Sequence, residues 1–82
     1  MVKIEKTRRL GSGAVIDRAV TFFGSGGLGL DLVKRDACCA RFEGGGGFVL
    51  VQTTDLPEEK KTSVVVEGRE WEIQIKEFVR KL

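Results

Sequence analysis

The sequence predicts an α+β fold: an antiparallel β-sheet with two helices on one face, in the order β-α-β-β-β-β-α. Three observations lead there. Apolar and polar residues alternate in the opening segment and again through the middle of the chain, as in strands that bury one face. After the first strand, and once more at the close, the apolar period lengthens to that of a helix. The connections between the middle strands are short, one of them the glycine run Gly44–Gly47, which suits antiparallel neighbours rather than the long crossovers of a parallel sheet. At 82 residues the chain is read as a single domain, 1–82. A chain of this size buries roughly 60–65% of the surface that its unfolded state exposes, so a thin core is expected.

Val2–Leu10, "VKIEKTRRL", alternates at Val2 and Ile4 and reads as the first strand. In "GSGAVIDRAVTFFG", Ile16, Ala19, Val20 and Phe23 recur at helical spacing, with Val15 and Phe22 widening the stripe. Gly13–Phe23 is therefore expected to be a helix, with Ser12 as N-cap, Asp17 toward its positive end and Gly24 just past its last turn. "LGLDLVKRDACCARFEGGGGFVLVQTTD" reads as three strands. In the first, Leu28, Leu30 and Leu32 alternate with Gly29 and Asp31, and "RDA" is a tight connection. In the second, Cys38, Ala40 and Phe42 alternate with Cys39, Arg41 and Glu43. Gly44–Gly47 can supply the positive φ of a reversal, and "FVLVQTTD" has the content of an inner strand. "LPEEKK" breaks the chain, and "TSVVVEG" reads as a further strand.

The last segment, "REWEIQIKEFVRKL", fits two periods. Trp71, Ile73 and Ile75 alternate as in a strand, whereas Trp71, Ile75, Phe78, Val79 and Leu82 form a helical face. Glu72 and Lys76 are an i,i+4 pair in the favourable order, and Arg80 and Lys81 suit the negative helix end. Glu70–Leu82 is taken as a helix, with a strand beginning near Trp71 as the alternative.

Composition narrows the function classes. Fourteen Lys and Arg stand against twelve Asp and Glu, a net charge of +2. A dedicated nucleic-acid binder concentrates more positive charge, so nucleic acid is not an expected partner; Lys3, Lys6, Arg8 and Arg9 read as a solvated strand face. No apolar run approaches the ~20 residues that cross a bilayer, and the opening residues lack the apolar region of a secretory signal. No membrane and a cytoplasmic location are the expectation. Cys38 and Cys39 are neighbours and the only two cysteines. A disulfide between them would close a small ring, and a strand would point the thiols to opposite faces, so both are expected reduced. With no His in the chain, acid/base work near neutral pH loses its best-suited side chain and a thiol lacks an activating partner. Neither an enzyme, nor a cofactor, nor a metal site is expected.

The stretch "FFGSGGLGLD" nevertheless contains G-x-G-x-x-G at Gly24, Gly26 and Gly29. That fingerprint holds pyrophosphate when a strand enters the loop and a helix leaves it. A dinucleotide reading can be assembled, with "AVTFF" as strand, "LDLVKRDACCARFE" as helix and Asp55 at the ribose. The helical stripe before the loop opposes it, and so does a length too short for the parallel strands such a fold needs. A helix-to-strand connection is preferred, and nucleotide binding through Gly24–Gly29 stands as a minor alternative. Gly44–Gly47 is read as a hairpin loop that also permits close approach of another backbone or a ligand.

The opening "VKIEKTRRLGSGAVIDRAVTFF" is a charged strand turning through small residues into a short helix. The close, "TSVVVEGREWEIQIKEFVRKL", is a strand passing into an amphipathic helix. In these two segments the chain resembles a minimal version of the START-like helix-grip superfamily, which includes polyketide-cyclase-like and lipid-binding proteins. The resemblance implies an apolar small molecule between sheet and terminal helix, walled by Phe23, Phe48, Trp71, Ile75 and Phe78. The residues by themselves read those aromatics as core, since so short a chain has little apolar volume for a cavity. The expectation is a non-catalytic binding domain. A protein-interaction module comes first, because "FVLV" and "SVVV" place apolar groups on both sheet faces and one helical layer covers only one. A homodimer is its simplest form, and carriage of an apolar small molecule is the alternative.

Overall fold

Alternation along Cys39–Gly44, Gly47–Leu56 and Lys61–Arg69 decides which side chains meet the helices, whereas Asp31–Arg35 is exposed along its whole length. The computed structural model of the protein describes residues Met1–Leu82. Its elements are β1 (Val2–Arg8), α1 (Ser12–Phe23), β2 (Asp31–Arg35), β3 (Cys39–Gly44), β4 (Gly47–Leu56), β5 (Lys61–Arg69) and α2 (Glu72–Lys81). This is the α+β order that the sequence predicts. The five strands form one sheet in the order β1-β5-β4-β3-β2, and every neighbouring pair is antiparallel.

The register aligns the apolar positions in rows across the sheet. Ile4, Val66, Val51 and Ala40 form one row, and Val2, Gly68, Val49 and Phe42 form the next. Both helices cover this face. α1 contributes Val15, Ile16, Ala19 and Phe23 to the core, and α2 contributes Ile75, Phe78 and Val79. Phe23 joins the layers: its ring lies 5.1 Å from Phe78 of α2 and 5.5 Å from Phe42 of β3. Gly68 lets α2 approach, since a Cβ there would stand 2.6 Å from Ile75 Cδ1 and 2.4 Å from the Phe48 carbonyl oxygen.

The glycine run Gly44–Gly47 closes the β3–β4 hairpin. Gly44 pairs with Gly47, and Gly45 and Gly46 take φ of 58° and 80°, the positive values of a two-residue turn that follows strand twist. The Trp71 indole N–H donates to the Gly44 carbonyl oxygen at 2.8 Å. A Cβ on Gly45 would stand 2.8 Å from the indole ring, so the bare turn is also the seat for Trp71.

The structure departs from the sequence reading in several places. The terminal segment is helical from Glu72, with Trp71 at its N-cap. At the other helix, Gly11 rather than Ser12 is the N-cap; the Ser12 hydroxyl instead donates to Asp55 Oδ1 at 2.7 Å. Asp17 lies beyond the first turn of α1 and pairs with Arg35 of β2. Leu28 and Leu30 belong to the loop and not to a strand, since β2 begins at Asp31, and Leu32 within β2 is exposed rather than buried. Cys38 and Cys39 are joined in a disulfide, which overturns the expectation of two reduced thiols. The reason is local. Cys38 lies in the β2–β3 turn and only Cys39 opens β3, so strand geometry does not drive the two side chains apart.

Trp71→Ala is expected to lower stability by about 3 kcal/mol, through lost packing on the turn. Trp71→Phe keeps most of the ring but leaves the Gly44 carbonyl without the indole donor, and should cost about 1 kcal/mol. Urea unfolding of the two variants separates packing from hydrogen bonding.

Candidate functional site

The five residues expected to wall a ligand do not share one wall. Phe23, Ile75 and Phe78 are buried in the core. Trp71 is half-buried against the β3–β4 turn. Phe48 pairs with Arg69 and Glu43, which places it on the sheet face away from the helices. Only Phe78 also borders a cleft.

That cleft lies between the helices, over the outer surface of their contact, and has a volume of about 510 Å³. Its apolar lining is Phe22, Leu28, Phe78 and Leu82. α1 turns Phe22 to the boundary because it is next to the buried Phe23, and its ring rests 5.5 Å from Phe78. Leu28 reaches the cleft from the glycine loop and is 39% exposed, although it is a large apolar side chain. The rim is charged. Asp17 is engaged by Arg35, Lys81 Nζ is 2.9 Å from Glu77 Oε1, and Arg18 is exposed without an ion-pair partner. Sequence periodicity did not single out Phe22, Leu28 or Leu82 as lining; the signal available was a leucine isolated among glycines.

The second surface is the opposite face of the sheet, which neither helix covers. Its centre is Phe48 and Leu50 of β4 and Val65 of β5, all half-buried. The Arg41 guanidinium stacks on Phe48, 4.6 Å from the ring centroid, and donates to Glu43 Oε2 at 3.0 Å. Lys3, Glu5, Glu67 and Arg69 share this face by register. The apolar centre and the mixed-charge border follow from the same alternation, read on its outward side.

The glycine fingerprint occupies the C-terminal end of α1. The N–H groups of Gly24, Leu28 and Leu30 donate to the carbonyls of Val20, Phe22 and Phe23 at 2.9 Å each. Gly27 and Gly29 both donate to the Gly24 carbonyl. These donors close the helix end, where the backbone dipole is negative rather than positive. A helix enters this loop and a strand leaves it, the reverse of a phosphate cradle. Compared with protein-family models, curated proteins and solved structures, the chain has no match.

The Lys81 ammonium, hydrogen-bonded to Glu77 and attracting it electrostatically, holds the Glu77 carboxyl below the usual carboxylate range. A depressed folded-state value means that the pair supports the fold above the ordinary carboxylate range and loses that support as pH falls through the folded value. Carboxyl-detected NMR titration should find Glu77 shifted down in the wild type and back in the usual range in Lys81→Ala.

Proposed function

We propose that this domain is a protein-interaction module that pairs with a second copy of itself through its uncovered sheet face. The observation that carries this reading is the apolar centre Phe48, Leu50 and Val65, left half-buried on the side that no helix covers. An aromatic and aliphatic centre within a polar rim is the usual anatomy of an interface. Both signs of charge border it on each side, with Lys3 and Glu5 toward β1 and Arg41 and Glu43 toward β3. A twofold axis near the β4–β5 boundary would set one border against the other, so opposite charges can meet and each patch is complementary to itself.

The edges of the sheet are poorer candidates. β2 has five residues and a register shift between Leu32 and Lys34, and β1 carries Lys3, Lys6 and Arg8. Short, irregular or basic edges resist strand addition. Five strands about 4.8 Å apart and on average about seven residues long give a face of about 550 Å² per partner. Twice that area sits at the low end for a specific complex, so the pair should be concentration-dependent rather than obligate. Light scattering across micromolar to millimolar protein should show mass rising toward the dimer, and Leu50→Arg should hold the chain monomeric without unfolding it. A wild type that stays monomeric throughout would end this reading.

The inter-helix cleft favours a second reading, carriage of an apolar small molecule with an anionic group. Its volume of about 510 Å³ lies within the range of ligand sites, and Arg18 supplies an unpaired cation at its rim. Anilinonaphthalene sulfonate should bind saturably, one per chain, and Leu28→Glu should weaken it about tenfold, or about 1.4 kcal/mol. Unsaturable binding, or binding unaffected by Leu28→Glu, would remove the carrier reading while leaving the sheet face untouched.

A further inference from the structure

We infer that the β2–β3 turn is a redox-gated site for a thiophilic divalent metal ion, formed by the Cys38 and Cys39 thiolates and the Asp36 carboxylate once the disulfide is reduced. Three donor groups converge there. The Asp36 carboxylate and the two sulfurs lie within 4.8 Å of one another, and Asp36 Oδ1 is 3.1 Å from Cys38 Sγ. Asp36 and Cys38 are exposed and Cys39 is half-buried, so a reductant and an ion can both reach them. The chain has no His and no further Cys, and the third donor is instead an aspartate two residues before the pair.

The turn is held in place by bonds that do not involve sulfur. The Thr53 N–H and the Thr53 hydroxyl both donate to the Cys38 carbonyl oxygen at 2.9 Å. The Asp36 N–H donates to the Cys39 carbonyl at 2.9 Å, and the Cys38 N–H donates to Asp36 Oδ1 at 3.1 Å. Thr53 itself is buried in β4. Opening the disulfide therefore leaves the backbone anchored, and the thiols remain neighbours. Two sulfurs on one tetrahedral ion stand about 3.8 Å apart for metal–sulfur bonds of about 2.3 Å. Side-chain rotation alone provides that separation.

The chemistry balances in two steps. A small dithiol reductant gives two electrons and two protons to the Cys38–Cys39 bond; the protein disulfide breaks, two thiols form, and the reductant becomes a cyclic disulfide. The metal ion then replaces the two thiol protons, which leave to solvent, and two metal–sulfur bonds form while Asp36 gives a third bond through oxygen. In the oxidised state the sulfurs are bonded to each other and the site is closed. Thiolate ligands select soft ions, so cadmium is the suitable probe.

Purified protein is reduced with dithiothreitol, freed of reductant without oxygen and titrated with cadmium. Thiolate-to-cadmium ultraviolet absorption reports binding, and the Thr53 amide resonance reports the turn. The expected result is one ion per chain, about two protons released, and no binding to the oxidised protein. Cys39→Ser should weaken cadmium at least about a hundredfold, and Asp36→Asn about tenfold while leaving the disulfide able to form. Equal binding to the oxidised protein, unchanged affinity in Cys39→Ser, or one ion bridging two chains would overturn the proposal. So would loss of the native Thr53 resonance on reduction, because the site requires the anchored turn.

Discussion

The contact on which the rest depends is the one Phe23 makes in three directions. As the last residue of α1 it packs on Phe42 of the sheet, on Phe78 of α2 and on its own neighbour Phe22. It stands at the point where Gly24 closes α1 and the glycine loop begins to return the chain to β2. The same ring sets how near the two helices come and therefore leaves the cleft outside their contact. With a core of fourteen buried apolar residues, a void at this junction has no second layer to fill it.

Polar interactions play a smaller part in holding the fold. All four ion pairs join partly exposed side chains, and such pairs contribute little in water. Their role is arrangement. Arg35 to Asp17 ties β2 to α1, and the Met1 amino group to Glu72 ties the start of β1 to the start of α2. Ser12 and Thr62 both donate to Asp55, joining the entry of α1 to the β4–β5 hairpin. Free energy comes from the one covered face, and orientation from these peripheral contacts.

Much of the architecture was legible because it depends on period. Val49, Val51, Val64 and Val66 announce strands by alternation, and Ile16, Ala19 and Phe23 announce a helix by spacing. The terminal segment was harder, since Trp71, Ile73 and Ile75 satisfy both periods; the docking of Trp71 on a turn more than twenty residues away settles it, and no local pattern contains that contact. Ser12 has the chemistry of a cap yet spends its hydroxyl on Asp55, again a distant partner. The cysteines were misread because a one-residue difference in where β3 begins decides whether they diverge. The candidate surfaces were legible only in part. Outward alternation exposed the sheet face, but the cleft needs Phe22, Leu28 and Leu82 brought from three separate segments.

β1 lies between solvent and β5, its Val2 opposite Gly68 and its Arg8 opposite Thr62, and Arg8 Nε donates to the Leu82 carbonyl oxygen at 3.0 Å. Its ladder partner and the acceptor of this bond both come from the far end of the chain. During synthesis β1 leaves the ribosome before either of them exists, while β3, β4 and β5 can zip through their short turns as soon as they emerge. Pairing β1 with β5 therefore closes the longest loop between any two neighbouring strands of the sheet. Until then β5 presents a bare, valine-rich edge. The Lys and Glu residues at Lys3, Glu5 and Lys6 keep the waiting segment hydrated during the interval in which that edge is most open to a wrong partner.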